Sequence, residues 1–434
     1  MAQVKEFGVN FVRLQFTDIF GCLKNVALTI EQLPRALKGR VMFDGSSIHG
    51  LPGVEESDMY LIPDPDTFVI FPWRPHDGSV ARLICDIHDP QGRPAAGCSR
   101  TRLKRVLQEA KESGYTINMG PEAEFFLFHT DERGEPTLKT HDHGGYFDLS
   151  PLDRGEDARR DIVLTLRKMG IEVESSHHEM ASGQHEIVFH YQDALTIADQ
   201  FVTSRYVTRS IAQRHGLHAT FMPKPLPEAN GSGMHCNQSL FKGGENVFYS
   251  PETPGGISQI ACHYLAGLLQ HAPALTAITN PTINSYKRLS EGYNAPVYIA
   301  WSSGNRSALI RIPSERGPYT RVELRSPDGT CNPYLAQAAI IASGLQGIKE
   351  KLKPPAEVKG NLYQLEAEER QQLGIKRLPY SLPEALKHLE NDPLLQGVLG
   401  QQIYSTLLKI KYREWQGYQD HVHSWEHQEY LKKF

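Results

Sequence analysis

In Gly120-Pro-Glu-Ala-Glu-Phe-Phe-Leu-Phe128, two glutamates stand two positions apart inside an otherwise apolar run. A run of that kind reads as a strand, and a strand turns residues i and i+2 to the same face. Glu122 and Glu124 therefore repel each other unless a cation lies between them. A solvated polar face is the plainer explanation, but solvated faces rarely sit among phenylalanines, and buried charges must be paired or coordinated. His177-His178-Glu179 and His185-Glu186 bracket a short loop and add two more carboxylates. In Asn230-Gly-Ser-Gly-Met-His235-Cys-Asn-Gln-Ser239, glycines that let backbone pass close to a ligand lead into a strand with His235, Asn237 and Ser239 on one face. A lone histidine is more often a core hydrogen-bonder, but beside these acids His235 becomes a candidate metal ligand.

Thr320-Arg-Val-Glu-Leu-Arg325 alternates strictly, which puts Arg321, Glu323 and Arg325 on one face and Val322 and Leu324 on the other. By itself this motif fits an exposed, salt-bridged edge strand equally well. Arg288, Arg306 and Arg311 add fixed cations whose forked geometry matches carboxylates and phosphates. Five glutamates and one histidine suit hard divalent cations such as Mg²⁺ or Mn²⁺ better than zinc. Such cations beside arginines are what phosphoryl transfer requires. The chain has no Walker phosphate loop, so an ATP-using protein of this sequence must hold nucleotide by another route.

The elements that must position these residues fall into two groups. Up to residue 97, short strand-like runs such as Phe11-Val-Arg-Leu-Gln-Phe16 and Ala81-Arg-Leu-Ile-Cys85 alternate with turn-rich stretches, a small mixed domain. A helical pattern from Ser99 to Gly114, with Ser99 or Thr101 placed to cap it, opens a larger α+β body over 98–434. Within that body strands are expected near 122–129, 185–191, 233–241, 307–312 and 320–326. Helices are expected near 156–169, 193–215, 257–272 and 333–353. From Glu384 onward the pattern is helical and ends in an aromatic, charged stretch, Trp415 to Phe434, which either wraps a neighbouring subunit or closes the domain.

The 434 residues, 40% hydrophobic and 22% charged with a formal net charge of −4, describe an ordinary globular protein and give no electrostatic case for nucleic acid. No stretch approaches the roughly 20 apolar residues that span a bilayer, and the first residues show no basic region ahead of an apolar run. A cytoplasmic location is expected. The six cysteines form no CxxC pair and are expected to be buried small hydrophobes in a reducing compartment.

Together with Phe43-Asp-Gly-Ser-Ser-Ile48, Asn280-Pro-Thr-Ile-Asn-Ser-Tyr-Lys-Arg288 and Asn305-Arg-Ser307, these motifs resemble the bacterial type I glutamine synthetase family over essentially the whole chain. The resemblance implies an N-terminal β-grasp-like domain on a catalytic α+β domain, in dodecamers of two stacked hexameric rings with active sites at subunit junctions. It assigns Glu124, Glu179 and Glu186 to one metal and Glu122, His235 and Glu323 to a second. It gives glutamate binding to Asn230, Gly231, Arg288 and Arg325, with Arg306 spanning substrate and phosphate. Nucleotide contacts fall to Glu174, Asn237 and Ser239, and phosphoryl neutralisation to Arg311. Asp44 of an adjoining subunit would bind ammonium and take its proton. The implied reaction has the glutamate γ-carboxylate attack the terminal phosphate of ATP, after which ammonia displaces phosphate from the acyl phosphate.

Three departures stand out. The family flap reads Gly-Tyr-Glu-Ala-Pro, whereas Gly292-Tyr-Asn-Ala-Pro296 puts Asn294 where the family's glutamate helps deprotonate ammonium. An amide is no general base at neutral pH. Gly53 stands where many relatives carry an arginine used in glutamine feedback, and Gly329-Thr-Cys331 replaces the usual Pro-Ala-Ala, so feedback inhibition is not expected to carry over; Tyr363 is read as structural. Two rival functions follow: a γ-glutamyl ligase for a larger amine, and a catalytically weak paralogue that senses nitrogen through a transcription regulator. On the ammonium reading, Asn294→Glu is expected to raise the amidation rate, and an unchanged rate with ammonium would sink the weakened-flap expectation.

Overall fold

The computed structural model describes residues 2–73, 78–292 and 294–434, with the side chains of 2 and 3 left aside. Its N-terminal part is a five-stranded sheet built from Val9–Thr17, Leu23–Thr29, Val41–Asp44, Asp58–Ile70 and Ser79–His88. The first strand pairs in parallel with the fifth, and the other pairings are antiparallel. Alternation buries Val12, Leu14, Leu61 and Leu83 in a core of their own.

The larger part is α+β. The long strand Thr116–Thr130 is the spine of an eleven-stranded sheet among the described residues, and the path through that sheet ends on the hairpin Val173–His178 and Gln184–Phe189 at one side. On its other side come Met234–Lys242, then Val322–Leu324, Ile310–Ile312 and Trp301–Ser303. Ala123, Phe125, Leu127, Ile187 and Met234 join one buried core with the helices Ala194–Arg214, Gln259–Thr279 and Pro333–Glu350. The sheet thus has an apolar face against helices and leaves the alternate residues free for chemistry.

Most elements lie where the sequence pattern puts them, with informative exceptions. The helix expected to stop near 272 continues to Thr279 through Pro273. Ser99 and Thr101 do not cap Ser99–Glu112: Cys98 takes the cap position, and its side chain accepts no bond from the helix's first N–H groups. Ser99 is drawn away, its hydroxyl lying 3.1 Å from that of Thr17 in the small sheet. The expected burial of all six cysteines fails at Cys22, which is exposed, and at the half-buried Cys262. Cys22 closes the turn after the first strand, where its N–H bonds Asp18 Oδ1 at 2.9 Å and its side chain faces outward. The C-terminal stretch is helical as expected, over Leu382–Glu390, Pro393–Gln419 and Ser424–Tyr430.

Arg100 joins the two parts. Its buried guanidinium donates to Asp199 at 2.7 and 2.9 Å, to Asp64 at 2.8 Å and to Asp86 at 3.1 Å, so one cation ties the small sheet to a helix of the large body. The helices Gln259–Thr279 and Pro333–Glu350 meet through glycine. A Cβ on Gly267 would lie 2.1 Å from the Ser343 carbonyl, and one on Gly347 would lie 2.1 Å from the His263 carbonyl. Gly347→Ala sets a helix-propensity gain of about 1 kcal/mol against overpacking that costs about 1–3 kcal/mol where side chains can yield. Backbone cannot yield so readily. A net loss of stability, read as a lower midpoint of chemical unfolding, is expected, and an unchanged or raised midpoint would show that the helices part without cost.

Candidate active site

Strand register decides which side chains meet on the open face of the sheet. Glu124 pairs with Glu186, which pairs in turn with His177 across the hairpin. Glu122 pairs with His235. One step further, Asn237 pairs with Glu323, which pairs with Arg311. Paired positions carry Cβ atoms about 5 Å apart, so five antiparallel ladders gather residues from distant parts of the sequence.

The hydrogen bonds differ from acid to acid. Glu323 is held at both oxygens, by Arg325 Nη1 and Arg311 Nη1, each at 2.7 Å. This buried strand lies inside the sheet, which removes the edge-strand alternative for residues 320–325. Glu122 accepts from Asn237 Nδ2 at 2.9 Å and lies 2.9 Å from His235 Nδ1. Burial raises its carboxyl, but the bond and charge of His235 outweigh that and hold it at about 2. Glu124 accepts from the Gly233 N–H at 2.8 Å. Glu179 and Glu186 have weaker support, from the Met180 N–H at 3.1 Å and from His177 at 3.1 Å. Burial first, and the charge of Glu124 next, push both up to about 8.

Two groups of donor atoms lie within 4.8 Å of one another here: Glu122, His235 and Glu323, and His177, Glu179 and Glu186. The second group contains His177, which the sequence motif displayed without a ligand role, where Glu124 was expected. Glu124 sits on the cavity wall with its carboxylate 3.9 Å from His235 Nε2. Carboxylates that stay protonated near neutrality for want of a counter-charge are what a divalent cation would correct, and oxygen donors with one imidazole suit a hard ion.

Glu122, Glu124, Glu179 and Glu186 line a cavity of about 1240 Å³, with Glu323 buried beneath the lining. Asn230, Gly231, Arg288, Arg306, Arg325 and Asn294 also line it. Arg306 is exposed there, whereas Arg288 is buried and donates to the carbonyls of Ser326 at 2.6 Å, Arg325 at 3.1 Å and Pro327 at 3.3 Å. Most of the Arg288 fork therefore holds the 325–327 turn. Asn294 stands at φ 58°, a left-handed conformation that asparagine tolerates better than most residues, and its Nδ2 lies 3.2 Å from Met180 Sδ. Tyr293, in the same flap, lies outside the described residues. Glu291 is bonded by Tyr298, and Tyr363 donates to the Ala295 carbonyl at 2.7 Å while also lining the cavity.

Three expected residues lie apart. Ser239 bonds the Thr320 carbonyl at 3.2 Å beyond the acid group, and Glu174 is exposed near the start of its strand. Asp44 is exposed at the end of the small sheet's outermost strand and accepts from the Ser46 N–H at 2.8 Å. Sequence reasoning missed Tyr146, Phe147 and Met180 as cavity walls. The first two lie on an irregular glycine-rich loop, where no periodicity marks a face.

A sheet face that brings paired acids, an imidazole and guanidinium groups to one cavity defines a metal-dependent enzyme of the phosphoryl-transferring kind. The family models for the glutamine synthetase beta-Grasp domain and catalytic domain match residues 8–90 and 96–430. The chain belongs to the glutamine synthetase family. It is 55% identical over 431 residues to the glutamine synthetase of Clostridium saccharobutylicum, covering 99% of this chain and 97% of that one. Against the Staphylococcus aureus (strain MRSA252) enzyme the identity is 53%, with the same coverage. Among solved structures, GmaS in complex with ADP superposes with TM-score 0.91 at 33% identity, covering 99% of both chains. The Plasmodium falciparum glutamine synthetase gives TM-score 0.88 at 28% identity, covering 98% of this chain and 96% of that one.

The raised carboxyls of Glu179 and Glu186 carry a pH signature. In the folded, metal-free protein their acidic form is favoured, so their cost is absent below the usual value of 4.5 and complete only above about 8. Metal-free protein is expected to lose thermal stability as pH rises across this window. Added Mg²⁺ should raise the melting temperature more at about pH 8 than at about pH 5, because it binds the ionised form. A Mg²⁺ shift independent of pH would contradict the assignment.

Proposed function

We propose that this protein joins ammonia to the side-chain carboxylate of L-glutamate, converting ATP to ADP and phosphate through a γ-glutamyl phosphate. The observation that carries this reading is the single cavity in which the acid ladders face Arg306 and Arg325, in a chain of this family over its whole length. The comparisons favour neither a different amine nor a regulatory role.

Glu124, Glu179 and Glu186, with His177 beside them, would hold one Mg²⁺ or Mn²⁺, and Glu122, His235 and Glu323 a second. When bound, such ions neutralise phosphate charge and make the terminal phosphorus a better electrophile. The chain's own groups do the positioning. Arg325, already anchored on Glu323, and the Asn230–Gly231 backbone bind the glutamate carboxylate, and Arg288 keeps Arg325 in place through its bond to the Arg325 carbonyl at 3.1 Å. Arg306, exposed in the cavity lining, reaches both the γ-carboxylate and the transferred phosphoryl group, and Arg311 adds charge through its bond to Glu323. With Asn237, Ser239 and Glu174 we associate the nucleotide, beyond the metal groups along the strands.

Ammonium must lose a proton before it attacks. Asn294 cannot accept one, and we assign that role to Asp44 of a neighbouring copy, in a ring-shaped homo-oligomer, the dodecamer of the family. We further place the domain boundary near residue 97, where the loop before Ser99–Glu112 leaves the small sheet. The reducing cytoplasm is supported by six unpaired cysteines.

Phosphate release from ATP and glutamate, measured with ammonium, with larger primary amines and with no amine, tests the function. Release that depends on ammonium is expected, and Arg306→Ala should lower kcat/KM by about 10² or more, as loss of a positioned donor does. Release driven by larger amines alone, or none at all, would end this reading.

A further inference from the structure

Val173–His178 and Gln184–Phe189 turn His177 and Glu186 to the cavity, and alternation sends His178 and His185 to the other side, where they pair. There they meet His141, Asp142, Asp153 and Arg159. Four of these groups, His141, Asp142, Asp153 and His185, bring donor atoms within 4.8 Å of one another, the spacing of a metal site. Arg159 argues against that use. Its Nη1 lies 2.8 Å from His185 Nδ1 and 2.6 Å from Asp153 Oδ2. A guanidinium only donates, so His185 Nδ1 accepts and the neutral ring keeps its proton on Nε2, which withdraws that nitrogen as a ligand.

What the cluster does hold is the turn of the hairpin. Asp142, with a fully buried side chain, accepts from the Gly183 N–H at 2.7 Å and faces His178 Nε2 at 3.2 Å and His141 Nε2 at 3.0 Å. His178 Nδ1 lies 2.6 Å from the Glu179 carbonyl. Carboxylate and carbonyl both accept, so both His178 ring nitrogens donate. Asp142 thereby grips the loop at both ends: at Gly183 directly, and at Glu179 through His178. The approach is close enough that a Cβ on Gly144 would stand 2.9 Å from His178 Nε2. On the cavity side the same loop presents the Glu179 carboxylate and Met180, whose sulfur lies 3.3 Å from Asn230 Nδ2 and 3.2 Å from Asn294 Nδ2.

We propose that Asp142 is a positioning residue for the metal group that contains Glu179 and Glu186: by clamping the 179–183 loop from behind, it sets where the Glu179 carboxylate points. The inference rests on the reading of those acids as metal ligands. A buried pair that served stability alone would show no preference between the two metal groups.

Mn²⁺ titration of the full-length protein, followed by calorimetry and by the electron paramagnetic resonance of free Mn²⁺, separates the alternatives. Asp142→Asn keeps the shape but sets an amide N–H against one of the donors. It should weaken one class of Mn²⁺ site by about 10–100-fold while the other stays within about twofold. Glu179→Gln should weaken the same class. If Glu179→Gln leaves Mn²⁺ binding untouched, the ligand assignment itself falls and the inference with it. If Glu179→Gln acts but folded Asp142→Asn binds both classes as wild type does, or loses both equally, the positioning role alone is overturned. Should Asp142→Asn not fold, His178→Gln decides by the same criterion, since it retains a donor toward Asp142 and drops the one to the Glu179 carbonyl.

Discussion

Five carboxylates, four on one sheet face and Glu179 on the loop that continues it, are the constraint that the rest of the site answers. At about 4 Å and an effective dielectric of about 20, each pair of unit charges repels by about 4 kcal/mol, and a few such pairs would exhaust the roughly 5–15 kcal/mol that holds a domain folded. The protein meets the problem differently at each acid. Glu323 lies between two guanidinium groups, and Glu122 has an imidazole and an amide. Glu179 and Glu186 share His177 and are left with carboxyls pushed up to about 8. The asymmetry matters for function. The Glu323 side is charge-compensated by the chain itself, while on the proposed reading the hairpin side is completed by a bound cation.

Carrying that burden requires a support that does not relax. The alternate residues of the same strands supply it, since Ala123, Phe125, Leu127 and Ile187 are buried in the main core directly beneath the acids. Any strand that rotated to relieve repulsion would expose them, and a fully buried aliphatic or aromatic side chain stabilises by about 1.5–3 kcal/mol. Repulsion on one face is thus opposed by packing on the other. The close glycine crossing of Gln259–Thr279 and Pro333–Glu350 and the Arg100 joint stiffen the layer behind.

Much of this arrangement is legible from residue order, because period-two alternation is a local property. Glu122 and Glu124 share a face in any strand, and Arg321, Glu323 and Arg325 do so too. What alternation cannot give is register, and register makes Glu186 the neighbour of Glu124 and Glu323 the neighbour of Asn237. Family resemblance grouped Glu124 with Glu186, but the pairing of Glu323 with Asn237 came only with the fold. Neither source revealed the Asp142 clamp, whose members lie at irregular intervals in loops and on the apolar side of the hairpin. Nor did they show that Arg288 directs its fork to backbone carbonyls, since a side chain's partner outside regular structure depends on where the turn at 325–327 passes. The missed cap at Ser99 has the same origin: Thr17, eighty-two residues earlier, competes for its hydroxyl.

Asn294 shows how one substitution redistributes a chemical task. At φ 58° an asparagine is at ease where a glutamate would be less so, and its amide, unlike a carboxylate, can donate toward Met180. It also spares the rim a further negative charge beside acids that already repel. Removing that charge weakens the local pull on ammonium and removes an acceptor for its proton. Among the described cavity-lining residues, the carboxylates are four of the five assigned to metal, Glu122, Glu124, Glu179 and Glu186, and Glu357, which accepts from the Ser303 N–H at 2.7 Å and from Ser302 Oγ at 3.3 Å. With the proposed roles, the described cavity-lining residues of one chain bind the electrophile but include no carboxylate left over to serve as base for the nucleophile's proton. On the proposed reading this is the physical reason for an exposed Asp44 at the edge of the small sheet: it is free to serve a cavity other than its own.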